Sequence, residues 1–280
     1  MCGRYAASAN PDELVEAYDV EVDATDERSR SVLKSPQEPP PGEPDYNMAP
    51  SKQAPVVLTR TPRGEGDGIP ARQLRLLTWG LVPSWAKDPS IGARLTNARV
   101  ETVLEKPSFS RAAAARRCLV PITGWYEWQA SPVSTTRAGK PRKQPFFITR
   151  DDGVPLALAG LYEFWKDPDA PAEDPLSWIV SYTVLTREAE PGLDRIHDRQ
   201  PLALEPESWG DWLDPGLTSP DRVQDLLGTA TDHAPGRFEA WPVGQAVGST
   251  RNNGPQLLEP VAAEELVGVV DPMTGEVLGG

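Results

Sequence analysis

The chain has 280 residues, a formal net charge of −13 at pH 7, two cysteines and two histidines. This length allows one large domain or two small ones, and two cysteines exclude a disulfide framework. Two histidines without a CxxC pair argue against a zinc site. The negative charge argues against bulk electrostatic binding of nucleic acid, although a basic patch on one face is compatible with it.

No stretch of the sequence is apolar for long enough to span a membrane, and the first residues lack the layout of a secretory signal. We therefore expect a protein of a reducing, cytoplasmic compartment that needs no membrane, metal or cofactor. The 31 prolines and 23 glycines favour short strands and loops over long helices.

Apolar runs and helix signals alternate along the chain. A helix is predicted over residues 10–20, where Asn–Pro precedes an apolar stripe. Runs rich in β-branched and aromatic residues, bounded by Pro, Gly or Asp, indicate strands. These strand-like runs are residues 54–59, 74–83, 117–128, 145–149, 155–165 and 177–186. Two more helices are predicted, over residues 97–117 with a break at the proline and over residues 219–230.

Three polar, Pro-rich stretches have too few apolar residues to order themselves, so we expect surface insertions at residues 26–45, 130–144 and 166–175. The whole pattern predicts an α+β fold. We expect a β-rich single domain over residues 1–262, with a strongly curved or barrel-like mixed sheet and a few short helices. Residues 263–280 would form an acidic C-terminal tail.

Cys2 follows the initiator methionine directly, and removal of Met1 would leave an α-amine and a thiol on one residue. Their ordinary pKa values are about 7.7–8.0 and about 8.5, so both groups titrate near neutrality. Such a residue is a nucleophile with a second nucleophile built in. The alternative is that Cys2 is a small apolar residue that begins an ordinary strand.

Three polar residues stand out within the later motifs. Asn97 lies in "RLTNARVET" and can orient a substrate or cap a helix. Glu127 lies in "GWYEW", on the strand face opposite its aromatic neighbours, where a dry environment would raise its pKa and make it a proton donor. It can equally pair with an arginine. His197 in "RIHDRQP" suits proton transfer, or it is a structural loop residue.

Trp79 and Trp85 in "WGLVPSWAKD" are either core residues or, at a cleft, platforms for bases. Arg251 and Asn253 lie in the Gly-bounded loop "VGSTRNNG", which can hold a phosphate or be a plain turn. None of these signals is specific by itself.

Taken together and in this order, the motifs are far more specific. The chain resembles the SRAP family (SOS response-associated peptidase-like proteins) from Met1 to about Pro260. The motifs that carry the resemblance are "MCGRYA", "YNMAPS", "WGLVPSWAKD", "NARVET", "GWYEW", "QPFFI", "AGLYEFW", "IHDRQPLAL" and "VGSTRNNGPQL". The three insertions fit the family pattern least.

The resemblance implies a protein that crosslinks covalently to abasic sites in single-stranded DNA, through a thiazolidine on its N-terminal cysteine. It implies catalytic roles for Cys2, Asn97, Glu127 and His197. The DNA-binding candidates within the matching motifs are Arg4, Asn47, Trp79, Trp85, Arg99, Arg199, Arg251 and Asn253.

We expect a monomer that associates with the nucleoid when DNA is damaged. Lyase-type or autoproteolytic activity could accompany crosslinking. Two alternative functions stay open. One is a Cys2-dependent peptidase or amidohydrolase, and the other is a non-catalytic module that binds single-stranded DNA.

Overall fold

A computed structural model describes residues 2–27, 29–61, 68–171, 174–232 and 236–279. Met1, whose removal is predicted, lies outside the described residues. Among the described residues, no helix has the length and apolar character needed to cross a bilayer.

The described residues form sixteen strands, several of them very short. They are β1 (Tyr5–Ala7), β2 (Val22–Asp23), β3 (Asp45–Met48), β4 (Gln53–Arg60), β5 (Ala71–Trp79), β6 (Asn97–Arg99), β7 (Arg117–Ile122), β8 (Gly124–Thr135), β9 (Pro141–Arg150), β10 (Leu156–Lys166), β11 (Trp178–Glu188), β12 (Arg199–Pro201), β13 (Ala203–Leu204), β14 (Phe238–Pro242), β15 (Val269–Val270) and β16 (Val277–Leu278).

Helices are few and short, as the proline and glycine content predicts. The α-helices are α1 (Pro11–Ala17), α2 (Ser110–Ala115), α3 (Pro206–Leu213) and α4 (Pro220–Thr231). Single turns of 3₁₀ helix cover Pro89–Arg94, Val100–Thr102, Pro175–Ser177, Leu193–Arg195, Gln245–Gly248, Pro255–Leu258 and Ala263–Glu265.

Five strands close into a small mixed barrel in the order β11, β10, β7, β4 and β5, and parallel pairing of β5 with β11 completes the ring. Alternate residues of these strands face opposite ways, so Val56 and Val120 point inward, whereas Val57 and Leu119 point outward. The outward residues share a buried cluster with all four helices. The predicted β-rich, barrel-like fold is confirmed.

A second, antiparallel sheet runs β14, β9, β8, β1 and β3. One of its faces, with Trp125 and Phe146, packs with the barrel interior, and the other carries Tyr126 and Phe147. The single predicted strand over 117–128 is therefore two strands, which belong to different sheets. Gly124, the first residue of β8, lets β9 approach closely, because a Cβ at that position would lie 2.5 Å from the carbonyl oxygen of Ile148.

Two expectations about local structure need correction, and one helix was missed. Residues 97–99 are a strand paired in parallel with β11, and only Ser110–Ala115 of the predicted 97–117 helices is α-helical. Tertiary pairing overrides the helix-like spacing there. Residues 130–144 form an ordered hairpin of β8 and β9. The helix Pro206–Leu213 was not predicted, although its two buried tryptophans anchor it to the barrel.

The C-terminal segment is packed against the fold. Leu266 and Val269 are buried in the same core cluster as the barrel interior. Gln129 exchanges two hydrogen bonds with the backbone of Val270, at 2.8 and 2.7 Å, and also donates to the carbonyl of Arg195 at 3.1 Å. The boundary predicted at residue 262 thus separates segments that share one core.

Candidate functional site

Cys2 lies just before β1, against the barrel, and is completely buried. Its thiol donates to the carbonyl oxygen of Arg4 over 3.9 Å. Burial is the main reason that the pKa of the Cys2 thiol is raised to about 12, and the nearby carboxylate of Glu127 acts in the same direction. In the resting protein the thiol is therefore protonated, and it needs a proton acceptor before it can react as a thiolate.

Asn97 ties the first described residue to the barrel. It sits in β6, which pairs in parallel with β11 at Val184, and its Nδ2 donates to the carbonyl oxygen of Cys2 at 2.8 Å. Its Oδ1 is buried and has no hydrogen-bond partner among the described residues. This oxygen is available to accept a hydrogen bond from a bound substrate or a chain terminus.

Glu127 is buried on the face of β8 that looks toward the barrel, with an exposed fraction of 6%. Tyr126 and Trp128 lie on the opposite face, as strand alternation predicts. Burial raises the pKa of Glu127 to about 7. At neutral pH the carboxyl group therefore exists in both protonation states, which is what a general acid–base group needs.

His197 follows the 3₁₀ turn Leu193–Arg195 and is half-buried. Its Nδ1 lies 3.0 Å from the backbone nitrogen of Arg199 and 2.7 Å from a carboxylate oxygen of Asp198. The backbone N–H of Arg199 can donate to Nδ1 of neutral imidazole, whereas the Asp198 carboxylate can accept from the protonated Nδ1 of imidazolium. Each protonation state of His197 therefore has a partner. Burial lowers the pKa of His197, and Asp198 opposes that effect.

The four predicted catalytic residues come from four separate strands or loops, and three of them are linked through Cys2. Cys2 contacts Asn97 directly and is electrostatically coupled to Glu127. Gln129, on the same face as Glu127, bonds to the turn that precedes His197. No group of three or more His, Cys, Asp or Glu that could hold a metal occurs among the residues described.

Two of the DNA-binding candidates hold a loop in place. Arg4 donates to Asn47 Oδ1 at 2.6 Å and to the carbonyl of Val247 at 2.9 Å. The buried Asn47 donates in turn to the carbonyls of Ser249 and Asn252, both at 2.9 Å. These contacts fix the backbone of the "VGSTRNNG" loop, which contains two further candidates, Arg251 and Asn253.

Within that loop, Arg251 is exposed, and the side chain of Asn253 is used internally. Asn253 Oδ1 accepts from the N–H of Tyr46 at 2.8 Å, and its Nδ2 donates to the carbonyl of Pro44 at 3.3 Å. Arg251 is thus the member of the loop whose charge is presented to solvent.

The two tryptophans are placed differently. Trp79 is completely buried between Tyr5 and Tyr182 and donates to the carbonyl of Thr96 at 3.0 Å, so it has no face on which a base can stack. It is a core residue at the seam of the barrel. Trp85 has 52% of its surface exposed, and a stacking role remains a prediction for it.

The remaining arginine candidates also differ. Arg99 is exposed. Arg199 makes a two-pronged ion pair with Glu101, at 2.7 and 3.0 Å, and donates to the carbonyl of Thr186 at 2.7 Å. A phosphate would have to compete with Glu101 for Arg199, whereas Arg99 is directly open to solvent.

Sequence reasoning missed the supports of the site. The hydroxyls of Tyr5 and Tyr182 lie 2.5 Å apart and link the second sheet to the barrel. Gln129 links the strand of Glu127 to the C-terminal segment. Gln129 stands two residues after Glu127, so strand alternation was the signal that placed both on one face.

Residues 1–250 match the model of the family described as SOS response associated peptidase (SRAP). The chain belongs to the SRAP family. Among its relatives, the "Abasic site processing protein YoqW" of Bacillus subtilis is 34% identical over 261 residues, which cover 92% of this chain and 99% of the relative. The "Abasic site processing protein HMCES" of Pongo abelii is 30% identical over 290 residues, covering 93% and 76%.

Solved structures resemble this SRAP chain as well. A protein from Bacteroides thetaiotaomicron superposes with a TM-score of 0.67 at 22% identity, over 93% of this chain and all of that one. A phage-related protein from Bordetella bronchiseptica gives a TM-score of 0.58 at 29% identity, over 90% of this chain and 99% of that one. The first likeness concerns the fold alone.

Proposed function

We propose that this chain processes abasic sites in single-stranded DNA by forming a covalent crosslink through Cys2 after Met1 has been removed. Relatives along nearly the whole chain carry the name abasic site processing protein. The observation that carries the proposal is that Cys2, held by Asn97, lies within electrostatic range of Glu127, a buried carboxyl group whose pKa is about 7.

The chemistry requires both nucleophiles of an N-terminal cysteine. An abasic deoxyribose opens to an aldehyde at C1′, and the α-amine of Cys2 adds to that carbon. Loss of one water gives an imine. The thiol then adds across the C=N bond, sulfur to carbon and proton to nitrogen, and closes a five-membered thiazolidine. The net reaction releases one water molecule and needs no cofactor.

The other three predicted catalytic residues each have a role in this reaction. Asn97 holds the backbone of Cys2 so that its amine points at one place. Glu127 protonates the leaving hydroxyl during imine formation and accepts the thiol proton during ring closure, tasks that suit a pKa near 7. His197 exchanges a proton with the sugar oxygen while the ring opens, since both of its protonation states are supported.

A cysteine hydrolase is less compatible with this site. Such enzymes keep the thiol activated in the resting state, either by a base hydrogen-bonded to it or by a lowered pKa. Here burial raises the pKa of Cys2 to about 12, and its thiol faces the carbonyl of Arg4. We infer that any peptidase chemistry is secondary to crosslinking.

The test is denaturing electrophoresis after the mature protein is mixed with single-stranded DNA that uracil glycosylase has made abasic. We expect a heat-stable, slower band that contains both protein and DNA. Intact-mass measurement should give the sum of the two masses less one water. A product of any other mass, or release of peptide from casein without a crosslink, would contradict the proposal.

A further inference from the structure

The hairpin made by the outer parts of β8 and β9 carries an isolated block of positive charge. Between Glu127 and Asp151 the sequence has no acidic residue, although the whole chain has a net charge of −13. The hairpin has four cations, called here the hairpin cations, and all four are exposed. They are Arg137, Lys140, Arg142 and Lys143.

The charges on this hairpin are not neutralised by the fold. Among the ion pairs between described residues, none includes a hairpin cation. By contrast, Arg150 at the inner end of β9 pairs with Asp152 and Glu205. Residues 135–143 are all exposed, so this part of the hairpin adds little to the core. A cluster of exposed cations without ion-pair partners produces a positive patch that attracts polyanions.

Specific contacts at its base fix the orientation of the hairpin. The pairing register shifts between Ala130 and Thr135, which marks a bulge, and bulges bend a strand. Ser131 Oγ accepts from the N–H of Ser134 at 2.9 Å and donates to the carbonyl of Gly268 at 2.6 Å. The bulge is thereby fastened to the C-terminal segment, and it sets the direction of the hairpin beyond it.

The base of the hairpin lies next to the candidate site. Burial is the main influence on the pKa values of Glu127 and His197, and the charge of Lys143 contributes to lowering both. Lys143 is therefore within electrostatic range of both acid–base groups. Lys143 also pairs with Ala130, three residues after Glu127 in β8. A DNA strand with its lesion at Cys2 would therefore bring a neighbouring phosphate toward Lys143.

We propose that the hairpin is a phosphate-binding arm that holds the lesion-bearing DNA strand on one side of the abasic nucleotide. This inference rests on the proposed function, because it takes the strand that reacts at Cys2 as the ligand. The arm binds any sequence, because phosphates carry no base identity. It explains how a chain with net charge −13 holds a polyanion: positive charge is concentrated beside the site.

The test measures binding to a single strand with a tetrahydrofuran abasic analogue, which cannot open to an aldehyde and so reports binding without chemistry. Two double variants, Arg137→Gln/Lys140→Gln and Arg142→Gln/Lys143→Gln, remove two hairpin cations each. The control is Arg111→Gln/Arg222→Gln, which removes two exposed charges from α2 and α4.

Each hairpin variant should neutralise two fewer phosphates of the single strand, so the slope of log affinity against log salt should fall by about 1.4. When salt rises from 50 to 200 mM, the affinity of each hairpin variant should then fall by a factor about sevenfold smaller than the factor for the unaltered protein. The control should keep the unaltered slope. Equal changes in the control and the hairpin variants would mean a general charge effect and would overturn the proposal.

Strand polarity sharpens the result. Two DNAs carry the analogue near the 5′ end or near the 3′ end, so that nucleotides extend on one side only. We expect the hairpin variants to weaken binding to one of these DNAs and leave the other unchanged. Unchanged binding of both would point to another partner, such as an acidic protein, and would also overturn the proposal.

A parallel reaction of the unaltered protein with a true abasic strand tests the crosslinking function separately from the phosphate-binding role of the hairpin. If the protein does not crosslink, the proposed function fails, while the slopes on the unreactive analogue still report the arm. If it crosslinks and the hairpin variants keep the unaltered slope, only the arm is refuted.

Discussion

Cys2 and Cys118 are both fully buried, and burial raises the pKa of both thiols. Both belong to one core cluster and lie within electrostatic range of Tyr182, but their other neighbours differ. Cys118 points into the barrel, where a Cβ on Gly160 would come within 2.8 Å of its sulfur. Cys2 has the carboxyl of Glu127 within electrostatic range and its carbonyl held by Asn97.

Burial and pKa therefore do not distinguish Cys2, which we propose to be reactive, from Cys118 in this molecule. What distinguishes them is the presence of a neighbour that can accept a proton and the position in the chain. Cys118 has its amine locked in a peptide bond in the middle of β7. If this contrast is real, changes at and around the two cysteines have very different consequences.

The largest effect is expected for Cys2→Ala, which removes the thiol and should abolish the heat-stable adduct. Cys118→Ala is the matched control and should crosslink at an unchanged rate, because its sulfur faces only the barrel interior. Denaturing gels of both variants with abasic single-stranded DNA make the comparison. The contrast between the two cysteines fails if a folded Cys118→Ala variant loses the adduct.

Blocking the amine of Cys2 should be almost as damaging, even though the thiol remains. A short peptide placed before Cys2 leaves only a labile hemithioacetal as product. Cleavage of the peptide by a site-specific protease should restore the adduct, and intact mass should then show a chain that starts at Cys2. A stable crosslink from the uncleaved protein would rule out the thiazolidine.

Glu127→Gln should lower the single-turnover crosslinking rate about 10²–10⁴-fold while leaving the Kd for intact DNA unchanged. Glu163→Gln is a close control and should keep the unaltered rate. Glu163 is equally buried and also follows a tyrosine in a strand, but it is ion-paired with Arg116 at 2.7 Å. Equal losses of rate and affinity in the Glu127 variant would reveal a binding role instead.

The stability of the protein should depend on pH through Glu127. Its pKa is about 7 in the folded chain against an ordinary 4.5, so the folded state keeps a proton that the unfolded state releases between these values. The free energy of unfolding therefore falls as pH rises from about 4.5 to about 7. At pH 8, Glu127→Gln should be more stable by about 3 kcal/mol, measured by urea denaturation. An unchanged stability would mean that the carboxylate is well solvated or paired.

The smallest effect is expected for Cys118→Ala on stability. Loss of one buried sulfur leaves a small cavity against Gly160 and Val120, which costs about 1 kcal/mol by comparison with the loss of a single methyl group. Thermal and urea denaturation measure it. A cost above about 3 kcal/mol would indicate that the barrel interior tolerates a small void far less well than other protein cores do.

Local patterns predicted much of the fold. Every strand-like run overlaps a strand, because β-branched and aromatic side chains alternate along the buried sheets. The helix over residues 10–20 is present because Asn10 and Glu13 form a capping box. Local patterns mispredicted residues 97–99, whose parallel pairing with β11 is a contact between distant parts of the chain.

The hairpin at 130–144 was mispredicted for a related reason. Its composition is polar and Pro-rich, and nothing within it supplies a core. Its order comes from Ser131 and from Gly268, which is 137 residues away in sequence. Likewise, the sequence around Trp79 is compatible with a core residue and with a stacking residue. Its complete burial in the fold shows that it is a core residue.

Residue identity and order alone indicated which chemistry is possible here: a cysteine directly after Met1, a histidine and a glutamate in specific motifs, and a β-rich chain. These follow from residue identity and short-range periodicity. The burial that brings the pKa of Glu127 to about 7, and the hydrogen bond from Asn97 to Cys2 across 95 positions, depend on the folded chain. Desolvation and hydrogen bonding depend on which distant segments exclude water from a group, and no local pattern encodes that.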